Sequence, residues 1–240
     1  MSGIDNVKFI TLTNDGYLDY TLNCLKSLEL IEFHNKLHCY VIGEKGYNIL
    51  KSKGYSSHLL KAESENDIVF SKFRQDNWHN ITKRKFEIIY NCLKENEYVC
   101  FTDGDIVFQN NKFLKYCLTY VGDNDMLIQN DTMSNEDKSN LCSGFMFIKS
   151  NKKTLDIFNP INVQKHVKPG WGDQVYINKL KHALTFQTLP LEYFPNGQYY
   201  YNTYRYYNSV KPFHPMMIHF NWVVGHEKKK KMKKHNKWFI

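Results

Sequence analysis

The chain has 240 residues, 42% of them hydrophobic and 15% aromatic, which is enough apolar material for one packed domain and excludes a disordered chain. No run of about 18 apolar residues occurs, so no membrane-spanning helix is expected, and the first residues lack the basic start and long apolar stretch of a secretory signal, so a cytoplasmic, reducing location is the expectation. The net charge of +8 suggests nucleic acid, but seven lysines within residues 228–240 supply all but one unit of it, so the body is nearly neutral.

In chain order, strands and helices alternate. Residues 7–12 are an apolar, β-branched run that predicts a buried strand. Asn14, Asp15 and Gly16 follow as a turn and helix cap, and Leu18, Leu22, Leu25 and Leu28 then recur at helical spacing. A second strand is predicted over 37–42, ended by Gly43, then a helix over 44–53 that stops at Gly54, and a weaker strand over 57–61. Residues 82–95 predict a helix with Phe86, Ile89 and Leu93 facing inward. A fourth strand, 97–102, runs into Asp103-Gly104-Asp105. Further on, a helix is predicted over 112–120, strands over 126–129 and 143–149, and a helix over 171–182. The Tyr-, Asn- and Pro-rich stretch 190–215 is predicted to be irregular, 217–220 is a last short strand, and the Lys-rich tail follows.

This alternation implies an α/β fold with a mainly parallel sheet covered by helices, whose ligands bind beyond the carboxyl ends of the strands. Thr11, Thr13 and Asn14 fall there for the first strand, Asp103 and Asp105 for the fourth. No repeat, GxGxxG or GxxxxGKS/T pattern occurs, so neither a dinucleotide fingerprint nor a P-loop is predicted. The six cysteines form no CxxC pair, which argues against zinc, and lie in apolar stretches as small hydrophobes.

Two segments carry chemistry. In Asp103-Gly104-Asp105 an apolar strand ends in two carboxylates one residue apart, which point the same way in an extended chain. Their mutual repulsion favours a hard divalent cation between them. A solvated turn is the competing reading, since Asp-Gly is common in turns. In the second segment His219 leaves a short strand, and Asn221, Gly225 and Lys228 follow. His219 could complete a metal shell, and carboxylate plus imidazole suits manganese better than magnesium. Lys228 could neutralise a phosphate. A core histidine and a solvated lysine are the plainer alternatives.

Taken together, these segments resemble the nucleotide-diphospho-sugar transferase family that includes plant galactosyl-, xylosyl- and arabinosyltransferases (glycosyltransferase family 77), with kinship to the glycogenin-like family 8. The resemblance rests on Thr11-Leu12-Thr13-Asn14-Asp15-Gly16-Tyr17, Lys83-Arg84-Lys85, Asp103-Gly104-Asp105, Cys142-Ser143-Gly144-Phe145-Met146, Gly172-Asp173-Gln174 and His219-Phe220-Asn221 with Gly225 and Lys228, in order over residues 7–238. The D-x-D carries Gly104 where many relatives have a bulkier residue.

The resemblance implies a GT-A-type, Rossmann-like fold in one domain, residues 1–240, with a Lys-rich tail over 228–240. It implies a metal-dependent glycosyltransferase using Mn²⁺ (or Mg²⁺), a nucleotide-sugar donor expected to be UDP-linked, and retention of anomeric configuration. The acceptor stays open among glycan, protein and lipid. Asp105 and His219 would ligate the metal, and Asp103 would join them or hold the ribose. Thr11, Thr13, Asn14 and Lys83 would line the nucleotide, Lys228 and Gly225 would serve the diphosphate, and Ser143 and Gly144 would lie near the sugar. Asp173 would hold donor hydroxyls or sit by the anomeric carbon, with Gln174 assisting; a simple helix cap is the alternative for Asp173. The tail could be a solvated end, part of the phosphate site, a lid, or a contact for an anionic surface. A nucleic-acid-binding protein acting through the tail is a rival reading, though no RNP1-like motif is present. An inactive sugar-nucleotide-binding module is another.

Overall fold

A computed structural model describes residues 3–69, 78–167, 171–210 and 214–240. Its main sheet has seven strands: β1 (Val7–Asn14), β2 (Leu37–Ile42), β3 (Ser57–Leu60), β4 (Tyr98–Thr102), β6 (Met126–Asn130), β7 (Leu141–Lys149) and β8 (Phe186–Leu189), in the order β3-β2-β1-β4-β7-β6-β8. Pairs β2–β3, β1–β2, β1–β4 and β6–β8 are parallel, while β7 runs antiparallel to both β4 and β6. The sheet is thus mainly parallel, as predicted, with one reversed strand.

Successive residues along the central strands enter different cores, because side chains alternate across a strand. Phe9, Cys100, Phe145 and Phe147 pack on one face with α1 (Leu18–Glu29) and α4 (Phe113–Tyr120). Ile10, Val99, Phe101 and Met146 pack on the other with α3 (Trp78–Glu95) and α7 (Asp173–Leu180). Both faces being covered, the strands read as unbroken apolar runs rather than alternating ones. All six cysteines are buried and free.

A third cluster forms beyond the carboxyl edge. A two-stranded antiparallel ribbon pairs β5 (Ile106–Phe108) with β9 (Met217–His219). Val107, Ile218, Phe220 and Tyr20 pack there with Tyr200 of α8 (Gly197–Val210) and Met232 of α9 (His226–Lys234).

Several expectations are corrected. The stretch read as irregular, 190–215, contains α8, and β8 just before it was not predicted; residues 211–213 lie outside the described residues. Tyr-rich sequence has no strong helical preference of its own, and here packing of Tyr200 against Phe220 supplies it. Helices α5 (Lys152–Phe158) and α6 (Pro160–His166) were not predicted, although Asn151 and Asn159 cap them. The remaining helix, α2 (Glu44–Ser52), lies as expected. The lysine-rich segment is not a solvated tail: it forms α9 and docks. Asn23 of α1 donates to the Lys237 carbonyl at 2.9 Å and accepts from the Phe239 amide at 2.6 Å.

Candidate active site

β4 ends at Thr102 and delivers Asp103, whose amide donates to the Gly144 carbonyl of β7 at 2.7 Å. Asp105 then precedes β5, and the register of the ribbon sets Ile106 opposite His219. The Phe220 amide closes the arrangement by donating to the Asp105 carbonyl at 3.1 Å. This pairing brings together residues more than a hundred positions apart: ligand atoms of Asp103, Asp105 and His219 lie within 4.8 Å of one another. Gly104 packs against α1 so closely that a β-carbon there would stand 2.6 Å from Thr21 Oγ1, which explains the absence of a bulkier residue.

The imidazole is oriented from behind. Gln129 Nε2 donates to the carbonyls of Phe194 and Pro195 at 3.1 and 3.0 Å, so its Oε1 is the atom facing His219 Nδ1 at 2.8 Å. That contact assigns the hydrogen to Nδ1. In the neutral ring Nε2 then turns a lone pair toward Asp105 Oδ1 at 3.1 Å, with Asp103 Oδ2 at 3.9 Å. Lone pairs facing each other at that distance require a proton or a cation between them. Two carboxylates and an imidazole held by an outer amide fit a divalent first-row ion.

Two lysines balance the charge. Lys228 of α9 reaches Asp105 Oδ2. Burial alone would raise the Asp105 carboxyl, but the Lys228 ammonium holds it far below the usual carboxylate range. Lys85 of α3, its side chain 6% exposed, donates to Asp103 Oδ1 at 3.2 Å, Asp173 Oδ2 at 2.5 Å and the Ser143 carbonyl at 2.9 Å. Ser143 Oγ also donates to Asp173 Oδ2, at 2.8 Å. Burial would raise the Asp173 carboxyl, yet Lys85 and Ser143 hold it below its ordinary value. Asp103 is pushed up by burial, with Asp105 and Asp173 adding to it against the pull of Lys85. Its side chain is the most open of the three aspartates, 38% exposed.

The other predicted residues divide. Thr11 and Thr13 are buried at the carboxyl half of β1, and Thr11 Oγ1 has no hydrogen-bond partner among the described residues. Asn14 caps the turn at Tyr17 and donates to the carbonyls of Asp67 and Val69 at 2.8 and 3.0 Å, which fastens the segment after β3. Gly225, at φ +56, leads into α9, and its carbonyl accepts the Tyr20 hydroxyl at 3.0 Å. Gly144 lies against His219 and Asp103, where a side chain of its own would collide with both.

Lys83 is only half-buried; Lys85, two positions on, is the lysine that enters the cluster. Two residues turn a helix by about 200°, and Lys85 shares the face of Phe86 and Ile89, a signal already present in the sequence. Gln174 does not face the cluster. Its Nε2 donates to Asp131 Oδ2 at 2.9 Å. Asp131, at the carboxyl end of β6, is buried and was missed; its place after an apolar strand is the same signal that marked Asp103.

Residues 39–234 match the family model described as nucleotide-diphospho-sugar transferase. A UDP-galactose:fucoside alpha-3-galactosyltransferase of Dictyostelium discoideum is 25% identical over an alignment covering 98% of this chain and 43% of the relative. The chain therefore spans less than half of that protein's length. Among solved structures, galactosyltransferase LgtC in complex with donor and acceptor sugar analogues aligns with a TM-score of 0.62 at 14% identity, covering 96% of this chain and 95% of that one. Mouse xyloside xylosyltransferase 1 aligns at 0.56 and 12% identity, covering 91% and 100%. These likenesses are of fold, and the fold is that of the GT-A glycosyltransferases.

Proposed function

The chain belongs to the nucleotide-diphospho-sugar transferase family, and on that premise we propose that it transfers a sugar from a UDP-linked donor to an acceptor hydroxyl, with a divalent cation, manganese before magnesium, held by Asp103, Asp105 and His219. The observation that carries this reading is the convergence of those three groups within 4.8 Å. The Dictyostelium relative is named for UDP-galactose, which makes that the first donor to try.

The leaving diphosphate gathers negative charge as its bond to the sugar breaks, and fixed positive charge lowers the barrier. A bound cation would supply Lewis-acid stabilisation of that charge. Lys228, already at Asp105, brings an ammonium to the same corner. The free hydroxyl of Thr11 lies in the carboxyl half of β1, toward the edge where a nucleoside would meet the sheet.

Asp173 suits a binding role better than a nucleophilic one. Lys85 and Ser143 both donate to its Oδ2, which lowers its basicity and leaves Oδ1 for a donor hydroxyl. Retention of configuration is part of the proposal, by attack of the acceptor on the face the diphosphate leaves.

The test is a thermal-shift panel of UDP, GDP and CDP with Mn²⁺, Mg²⁺ or EDTA, since a ligand bound only by the folded state raises its apparent stability. A rise that needs UDP and Mn²⁺ together, followed by turnover of a UDP-sugar, is expected. No nucleotide response, or one that survives EDTA, would refute the reading; a UDP response without turnover would mark a binding module.

A further inference from the structure

Trp222 is the bulkiest of the three non-glycine residues with positive φ among the described residues, at φ +64. A large side chain rarely takes this conformation unless its surroundings impose it, and such residues gather at ligand sites. The surroundings do impose it. The Gly197 amide donates to Asn221 Oδ1 at 2.6 Å, and the Tyr201 hydroxyl donates to the Asn221 carbonyl at 3.4 Å. Asn221 Nδ2 and Trp222 Nε1 both donate to Asp131 Oδ1 at 2.9 Å. Asp131 Oδ2 accepts Gln174 Nε2 at 2.9 Å and Asn140 Nδ2 at 3.1 Å. Four donors fill the lone-pair positions of one carboxylate, so Asp131 is committed to holding its neighbours.

The indole, fixed at its N–H end, is nevertheless 54% exposed, and Val224 beside it is 67% exposed. This corner adjoins the back of the imidazole of the proposed metal site. Asn221 follows His219 by two residues, and its Nδ2 lies 3.7 Å from Cys142 Sγ, itself 3.5 Å from His219 Nδ1. It is tied to the end of β6, across β4 and β7 from Thr11 and Thr13 of β1. With the donor nucleoside at β1, the β6 side is left for the acceptor.

We infer that Trp222 is the platform on which the acceptor sits, that the acceptor is a pyranoside, and that Asp131 is the positioning residue that orients the ring. A pyranose carries C–H bonds on one face and hydroxyls around its rim. The C–H face can cover an indole while the hydroxyls stay wet, removing apolar surface of both partners from water. A serine or threonine side chain has no such face. This inference rests on the reading of the chain as a transferase.

Saturation-transfer NMR on the full chain with UDP and Mg²⁺ tests it, using methyl α-L-fucopyranoside, methyl β-D-galactopyranoside and methyl α-D-glucopyranoside as probes. At least one should receive saturation, strongest on the protons of one ring face. Trp222→Ala should abolish the signal and Trp222→Phe should keep it, with the UDP-dependent thermal shift reporting that each variant is folded. Asp131→Asn should weaken the signal while the ring remains present. A signal unchanged in Trp222→Ala, or no saturation of any pyranoside by a wild-type chain that binds UDP, overturns the inference. Failure to bind UDP at all would instead strike the transferase reading.

Discussion

A β-carbon on Gly144 would lie 2.3 Å from His219 Cε1 and 2.8 Å from Asp103 Oδ2. The missing side chain of β7 is thus the space in which the imidazole meets the aspartates. Gly144→Ala should push His219 off its line to Asp105. Overpacking of this kind costs about 1–3 kcal/mol, and the displaced ligand should weaken divalent-ion binding on the scale of a lost outer-shell partner, about 10–100-fold. Mn²⁺ titration followed by electron paramagnetic resonance would measure it; wild-type affinity in Gly144→Ala would show that the contact does not matter.

Lys85 neutralises two carboxylates in the wall of the site, so its removal should be felt in stability as well as in binding. Lys85→Met leaves Asp103 and Asp173 without their shared cation, and breaking a buried pair from one side costs about 3–5 kcal/mol. Lys83→Ala, on the other side of the same helix, should stay within about 0.5 kcal/mol of the parent. Urea unfolding of the two variants separates them. Equal midpoints would mean that Lys85 is not the charge that holds Asp103 and Asp173 together.

The contrast between these lysines shows where sequence reasoning reached and where it stopped. The strands lining the site were legible because both sheet faces are buried, so β1, β2, β4 and β7 appear as apolar runs. Asp103, Asp105 and His219 were legible as residue types. Their convergence was expected from the resemblance and not from the residues themselves, because it depends on β9, which was predicted, pairing with the three-residue β5, which was not; a strand that short carries no periodic signal. Lys83 was favoured over Lys85 because a motif gives order along the chain but not the helical face. Asp131 was passed over because its partners Gln174, Asn221 and Trp222 come from two distant segments. The lysines of α9 read as a tail because one buried Met232 among them leaves the average hydrophilic.

His38 gives a pH dependence independent of the proposed chemistry. It stands on β2 between Lys8 Nζ at 3.2 Å and His58 Nε2 at 3.2 Å, and burial, with Lys8 and His58 adding to it, pushes its imidazole down to about 4. An unfolded histidine titrates near 6.5. Between those values the unfolded chain binds the proton and the folded chain does not, so stability is full above about pH 6.5 and falls as pH drops toward about 4. Screening at a half-buried site limits the change to about 1–2 kcal/mol. Urea unfolding across that window should show the slope in the parent and a flatter one in His38→Phe. Parallel slopes would assign the dependence to other groups.

The placement of Lys228 depends on how α9 is held. A nine-residue helix bearing six lysines cannot persist alone, being too short and self-repelling. Met232 is buried in the third cluster, Lys229 lies 4.5 Å from the ring centroid of Trp238, and Lys231 lies 4.6 Å from that of Tyr201. The cation–ring contacts contribute about 0.5–1 kcal/mol each, so Met232 is the main anchor. Met232→Ala should cost about 2–5 kcal/mol if the whole chain feels it, or less if α9 alone detaches. In either case Lys228 loses its hold on Asp105, and UDP with Mn²⁺ should bind roughly tenfold more weakly, a change of about 1.4 kcal/mol. Lys228→Ala should lose a similar amount, and the double variant little more, because both act through one ammonium. Additive losses would mean that α9 contributes to donor binding by some route other than Lys228. Unchanged UDP affinity in Met232→Ala would mean that the helix does not position the lysine.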